Sequence, residues 1–289
     1  MDTLLNEYMK LYEPKTPEDY RNALKEIVQE IALYGLSRSD FFQKAAFYGG
    51  TALRIFYGLD RFSEDMDFSL SEADVSFSLE KYFSYMEEAL ASHGMEMTVS
   101  EKIKSRHSDV KSAFIKGETL IQLVTIWDRE DRRFPGIDPH EQVKIKVEID
   151  TNPPVGAAYE NKYGLRPAPF MVRLYDAPSL FAGKLHAVLC RNWKNRVKGR
   201  DFYDYVWYIT NKTKVNLYHL QKRMEQTGHW DGSEVLTIQV LKKMLDERFD
   251  TVNYEQAKSD VKNFVRDDGK LQLWSPDFFK ALSAHIEAV

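Results

Sequence analysis

Apolar and polar positions follow two periods along this chain, and the change from one to the other divides it. Behind Pro14 and Pro17, Leu24, Ile27, Val28 and Ile31 recur three or four apart, which predicts an amphipathic helix. A short apolar stretch, Ala45 to Tyr48, runs into Gly49-Gly50, and a compact helix from Thr51 to about Gly58 is expected to follow. Glu64 to Leu70 alternates polar and apolar residues, the pattern of a strand. After a helix near 76–92, the stretches Met95–Ile103, Val110–Lys116, Leu120–Trp127 and Val143–Asp150 read as strands, with a long turn over 128–140. Asn152-Pro153-Pro154 stops the last of these, and Phe170–Leu174 reads as one further short strand. From Pro178, a residue suited to a first helical turn, the period is helical to the end. The expected helices are 178–193, 200–210, 216–227, 234–247, 254–266 and 276–287.

Regular strand–helix–strand alternation is missing, so the fold class expected is α+β, with a mostly antiparallel or mixed sheet. The division predicted is an α/β domain over 1–175 and a helical domain over 176–289. The 289 residues suffice for one large domain or two smaller ones, and 13% aromatic residues argue against disorder. Cys190 is the one cysteine. It cannot form an internal disulfide or a cysteine-based zinc site, and the chain suits a reducing compartment. No apolar run follows a basic segment in Met1–Lys10, and no stretch approaches the roughly 20 apolar residues of a membrane helix. The expected location is the cytoplasm, with no membrane partner.

A net charge of −4 argues against a general nucleic-acid coat. Lys184 to Arg200 is different: residues 184, 191, 194, 196, 198 and 200 are basic and none is acidic. Such a run is either a solvated surface or a place for a phosphate partner.

The residues richest in chemistry are Gly49-Gly50-Thr51 followed by Arg61, Ser63, Asp65 and Asp67. Asp65 and Asp67 are two apart on a predicted strand and share a face. Two adjacent carboxylates repel, and a divalent cation with a preference for hard oxygen ligands, Mg²⁺, removes that repulsion. Gly-Gly just ahead of a helix allows close approach to a phosphate, with free N–H donors and the helix dipole behind it. Either motif alone also describes an ordinary turn or an exposed strand face; together they fit a nucleoside triphosphate and its metal. A second alternation, Val143 to Asp150, places Lys144, Lys146, Glu148 and Asp150 on one face. A third set lies on two helices. Lys184 borders the apolar stripe Leu180, Phe181, Leu185, Val188 and Leu189 and needs a partner, for which Asp201 is suited. Asp201 and Asp204 share a helix face. His186 is read as structural, and Tyr203, Tyr205, Trp207 and Tyr208 as core. The seven histidines are scattered, and the sequence carries no clustered His/Cys metal site, no Walker A loop and no nucleophile elbow.

Gly-Gly-Thr-Ala-Leu-Arg at 49–54 with Arg-Phe-Ser-Glu-Asp-Met-Asp-Phe at 61–68 resembles the first motif of the AbiEii/AbiGii toxin nucleotidyltransferases. That family lies within the DNA polymerase β-like nucleotidyltransferase superfamily. Val-Lys-Ile-Lys-Val-Glu-Ile-Asp at 143–150 matches the family's later Lys-x-Glu strand, and Lys184 with Arg200-Asp201-Phe-Tyr-Asp204 its last motif. The likeness spans about residues 17–210. It implies a mixed sheet with flanking helices, followed by a C-terminal helical region that contributes Lys184 and Asp201 to the cleft. It further implies that Asp65, Asp67 and Glu148 hold one or two Mg²⁺, with Asp150 an alternative third carboxylate. Lys184 would meet the triphosphate with help from Arg200, Asp201 would orient the lysine or the acceptor, Arg61 and Ser63 would support the strand or contact phosphate, and Lys146 would bind the nucleotide. The phosphate-binding turn is Gly49-Gly50 or Gly50-Thr51.

The same resemblance implies a toxin of a type IV toxin–antitoxin system, serving in abortive infection (phage defence). It would transfer a nucleotide, from GTP or CTP, to an acceptor such as tRNA, and would have a cognate antitoxin. The alternatives are a nucleotide-binding module acting through protein partners without turnover, or a scaffold that acts by binding an antitoxin or another protein.

Overall fold

The computed structural model describes residues 3–102, 108–126, 134, 136–192 and 197–289. In chain order the elements are α1 (Thr3–Tyr12), α2 (Pro17–Ser37), α3 (Phe41–Lys44), β1 (Ala45–Tyr48), α4 (Gly49–Tyr57), β2 (Met66–Leu70), α5 (Phe83–Ser92), β3 (Thr98–Glu101), β4 (Val110–Glu118), α6 (Thr119–Ile126), β5 (Gln142–Asp150), β6 (Tyr159–Gly164) and β7 (Phe170–Tyr175). The helices α7 (Ala177–Cys190), α8 (Gly199–Thr210), α9 (Leu217–Gln226), α10 (Ile238–Phe249), α11 (Tyr254–Val261) and α12 (Pro276–Ser283) follow. The fold is α+β: a mixed seven-stranded sheet with flanking helices, then a helical region.

The chain divides into two compact units. The first holds Met1–Gly58, Phe62–Pro153 and Asn161–Leu174; the second holds Leu59–Arg61, Pro154–Glu160 and Tyr175–Val289.

The sheet order is β3-β4-β5-β2-β1-β7-β6. β2 runs antiparallel to β1 and parallel to β5, which is antiparallel to β4. The strands alternate as the sequence does. Met66, Phe68, Ile145, Val147 and Ile149 are buried to within 1%, and Asp67, Lys146, Glu148 and Asp150 on the other parity are half-buried. α2 starts where the sequence signals it. Thr16 Oγ1 accepts from the Asp19 N–H at 3.2 Å and Asp19 Oδ2 accepts from the Thr16 N–H at 2.8 Å, a reciprocal cap ahead of Pro17. α2 packs Leu24, Ile27, Val28 and Ile31 into the core of the first unit.

The second unit has an aromatic core. Tyr205 and Tyr208 are buried among Phe181, Phe249 and Phe279, and Tyr203 is buried beside them in sequence. Gly199 opens α8 where an added Cβ would lie 1.8 Å from the Ala257 carbonyl oxygen, so only glycine lets α8 meet α11 so closely.

One expected strand is a helix. Leu120–Trp127 reads as a strand, but α6 covers Thr119–Ile126, and Trp127 lies outside the described residues. A short apolar run fits either element; here Thr119, Gln122 and Leu123 are buried while Ile121 is 45% exposed, a helical spacing. α1, α3 and β6 have no counterpart among the expected elements. The expected helix near 76–92 is a 3₁₀ turn, Leu79–Tyr82, leading into α5. Most of the expected turn over 128–140 lies outside the described residues, as does Ile103.

Candidate active site

Four strands of the first unit carry a row of polar side chains in register. Ser112 on β4 faces Glu148 on β5, Glu148 faces Asp67 on β2, and Asp67 faces Tyr48 on β1. In-register neighbours on adjacent strands point to the same side. The row therefore brings the carboxylates of Asp67 and Glu148 side by side, and Tyr48 leads directly into Gly49. Ser112 Oγ donates to Glu148 Oε1 at 2.7 Å, and Lys146 Nζ pairs with Glu148 Oε2 at 2.5 Å. Asp150 lies one pleat further along, opposite Ser69, and its Oδ1 accepts from the Asn152 N–H at 3.0 Å.

Gly49 has φ +83°, the left-handed region that favours glycine, and a Cβ built there would lie 2.6 Å from Asp67 Oδ2. The missing side chain is what lets the Asp67 carboxylate rest against the start of α4. Thr51 is fully buried, and its Oγ1 donates to the Asp65 carbonyl oxygen at 2.5 Å. That bond ties the first turn of α4 to the residue just ahead of β2; Asp65 itself is half-buried and one residue outside the strand. The loop before it is held from α2. The buried Gln29 donates through Nε2 to the carbonyls of Ser63 and Glu64 at 3.1 and 2.9 Å, and Lys25 Nζ pairs with Glu64 at 2.8 Å. Arg54 pairs with Glu26 at 2.8 Å, its guanidinium 4.8 Å from the Phe62 ring centroid.

The remaining sequence candidates gather in the second unit. Arg61 and Asp204 make two parallel contacts, Nε to Oδ1 and Nη2 to Oδ2, both at 2.6 Å. Lys184 Nζ lies 2.8 Å from both Asp201 Oδ1 and Asp204 Oδ2. Arg191 completes the cluster at 2.5 Å from Asp201 Oδ2. Burial alone would raise the Asp204 carboxyl, but Arg61 and Lys184 overcome it and hold the group below its ordinary range. Burial likewise opposes the Lys184 charge, and Asp201 and Asp204 together raise its pKa. The Arg200 guanidinium lies 4.3 Å from the Phe264 ring centroid. Of the basic run, Lys184 and Arg191 are thus engaged with carboxylates, and Lys194 and Arg196 lie outside the described residues.

The first unit therefore assembles Gly49, Thr51, Asp67, Lys146 and Glu148, with Asp65 anchored through its backbone. The second assembles Arg61, Lys184 and Asp201. Gln29 and Ser112 carry no local sequence signal, and Asp204 is marked only by its three-residue spacing from Asp201. The histidines are scattered along the sequence and the cysteine stands alone. Yet the donor atoms of His186, Cys190 and His229 all lie within 4.8 Å of one another, because helix packing unites residues that the sequence separates.

The carboxylate row fits a hard divalent cation. Its donors are all oxygens, and the space beside Asp67 is one that any side chain at position 49 would fill. Among the described residues no helix is long and apolar enough to cross a membrane.

Comparison with known proteins agrees with this chemistry. No curated protein matches the chain. Two solved structures from Helicobacter pylori are similar: a candidate nucleotidyltransferase (17% identity, 89% of each chain, TM-score 0.44) and the protein JHP933 (17% identity, 90% of this chain and 88% of that one, TM-score 0.45). At that distance neither adds to the assignment. A family model described as the nucleotidyl transferase AbiEii toxin of type IV toxin–antitoxin systems matches residues 31–284. With that model covering most of its length, the chain belongs to the AbiEii family and is a toxin nucleotidyltransferase.

Proposed function

We propose that the protein transfers a nucleotide from a nucleoside triphosphate, GTP or CTP, to an RNA acceptor, tRNA in particular, with Asp65, Asp67 and Glu148 holding Mg²⁺. The observation that supports this most is the register of Asp67 against Glu148, with Gly49 leaving room beside Asp67. Bound there, the metal would offset the repulsion between the carboxylates and polarise the α-phosphate and the attacking hydroxyl.

In this reading the acceptor hydroxyl oxygen attacks the α-phosphorus and pyrophosphate leaves. The residues 49–51 meet phosphate oxygens at the start of α4, where unpaired N–H groups and the helix dipole favour negative charge. Lys146 holds Glu148 in place through its ion pair, and Ser112 fixes the other carboxylate oxygen. Gln29 and Thr51 hold the backbone around Asp65. Arg61, Lys184 and Arg191 with Asp201 and Asp204 form an ion-pair cluster that fixes Lys184 on α7; its proposed target is the triphosphate, with Arg200 assisting. The domain roles proposed are nucleotide and metal binding over 1–175 and a helical portion, 176–289, that supplies these groups. RNA as acceptor is supported by the basic residues Lys194, Arg196 and Lys198 in the sequence. The family implies a cognate antitoxin, and abortive infection is the setting in which such a toxin would act.

The test is incubation of the protein with each labelled nucleoside triphosphate, Mg²⁺ and total cellular RNA, beside Asp65→Ala/Asp67→Ala. Label on RNA from the unaltered protein alone supports the reading and identifies nucleotide and acceptor class. Equal labelling by the double variant removes the carboxylates from the mechanism. Nucleotide binding without label on any macromolecule leaves a binding module in place of a transferase.

A further inference from the structure

A second set of metal-ligating side chains lies within the helical unit, built from softer donors than the carboxylate row. His186 and Cys190 are four residues apart at the C-terminal end of α7, so both side chains leave the same face of the helix. His229 comes from the turn that follows α9. Gly228 (φ +73°) shapes that turn, and the His229 N–H donates to the Met224 carbonyl oxygen at 2.8 Å. One donor atom from each of His186, Cys190 and His229 lies within 4.8 Å of the other two.

The two imidazoles converge on a single atom. His186 Nε2 and His229 Nδ1 lie 2.9 and 3.0 Å from Thr227 Oγ1. That hydroxyl is also 3.0 Å from the Arg223 carbonyl oxygen and 3.3 Å from that of Met224. A hydroxyl has one proton. Spent on a helix carbonyl, it leaves only lone pairs for the two rings, which then both donate N–H to the oxygen. With each ring proton moved to the outward nitrogen, the two ring nitrogens aimed at this point present lone pairs, and with a thiol in reach they form a donor set for a metal ion.

We propose that His186, Cys190 and His229 bind one Zn²⁺, with the Thr227 hydroxyl or a water in the fourth position. Two imidazole nitrogens and a thiolate suit this borderline-soft ion. Zinc bonds of about 2.0–2.3 Å place neighbouring tetrahedral donors roughly 3.5 Å apart, so the donors, now within 4.8 Å of one another, would draw together on binding. Binding displaces the Cys190 proton to solvent. The ion would clip the end of α7, the helix that carries Lys184, to the turn after α9. This site is independent of the carboxylate row, whose oxygen donors select a harder cation.

The test uses full-length, metal-stripped protein titrated with Co²⁺ as a spectroscopic probe and then with Zn²⁺ followed by calorimetry. The unaltered protein and Asp65→Ala/Asp67→Ala should both show a thiolate-to-cobalt charge-transfer band that one equivalent of Zn²⁺ abolishes. Cys190→Ser should lose the band. His229→Ala, at an exposed position that tolerates substitution, should weaken Zn²⁺ binding beyond the roughly 10–100-fold that loss of an outer-shell partner costs. Zn²⁺ should raise the Tm of the unaltered protein and not that of His229→Ala. Absence of the band in the unaltered protein, its persistence in Cys190→Ser, Zn²⁺ affinity unchanged in His229→Ala, or loss of the band in Asp65→Ala/Asp67→Ala would each overturn the proposal.

Discussion

Arg61 and Asp204 stand 143 residues apart in the chain and meet in a buried, two-point ion pair with both contacts at 2.6 Å. Their side chains are 3% and 0% exposed, so neither charge has water to fall back on. Arg61→Ala strands the Asp204 carboxylate with Lys184 alone and is expected to cost about 3–5 kcal/mol of stability in urea unfolding. Arg61→Lys keeps the charge but loses the planar fork and should recover only part of that. The double variant Arg61→Met/Asp204→Leu should lose less than the sum of the single changes, since the partners disappear together. Strict additivity would show that the pair contributes nothing as a pair.

Gly49 and Gly58 provide a matched test of the approach to Asp67. Both have φ +83°, but a Cβ at Gly58 meets nothing within 4 Å while one at Gly49 meets Asp67 Oδ2 at 2.6 Å. Alanine at either position should cost about 1–2 kcal/mol for the left-handed backbone. Only Gly49→Ala should also lower nucleotide transfer, because only there must the carboxylate move. Thermal melts and transfer rates on both variants separate strain from displacement.

Gln29 holds the loop ahead of β2 through two carbonyls, yet it is fully buried and remote in sequence from both. Gln29→Ala leaves those carbonyls unsatisfied, and the expected loss is about 1–3 kcal/mol. Because the same loop sets Asp65, the metal concentration giving half-maximal transfer should rise. A variant that is destabilised but needs no more metal would restrict Gln29 to a folding role.

His219 gives the fold a defined response to acid. Its Nδ1 lies 3.0 Å from the Val155 carbonyl oxygen, and its Nε2 is buried with no hydrogen-bond partner. Burial lowers its pKa from 6.5 to about 4, so the folded state resists a proton that the unfolded state accepts. Its contribution is present above 6.5 and is lost as pH falls towards 4, by about 3 kcal/mol at the lower end. His219→Phe should be less stable at neutral pH, having lost the bond to Val155, and the gap to the unaltered protein should narrow on acidification. Parallel stability curves between pH 7 and 4 would sink this assignment.

Much of the architecture was legible because it rests on short periods. Leu24 to Ile31 announced α2, the alternation at Val143 to Asp150 announced β5, and Pro178 announced α7 to within a residue or two. Leu120–Trp127 failed because a short run of Leu, Ile and Val fits a strand or a helix equally well, and packing chose the helix. β6 sits at the edge of the sheet; its Tyr-Glu-Asn-Lys-Tyr-Gly has too little apolar alternation to announce a strand.

The local pattern alone determined which side chains share a face: Met66 and Phe68 against Asp67, Val147 against Glu148, and Asp201 with Asp204. It also showed that Lys184 would need a carboxylate. Only the tertiary structure decided which face meets which. The parallel pairing of β2 with β5 sets Glu148, and not Asp150, opposite Asp67. The segment between α4 and β2 brings Arg61 to Asp204 on α8, and helix packing gathers His186, Cys190 and His229. The reason is physical: a period of two or 3.6 residues is a property of neighbouring backbone dihedrals, whereas strand register and helix contact are set by the burial of surfaces distant in the chain.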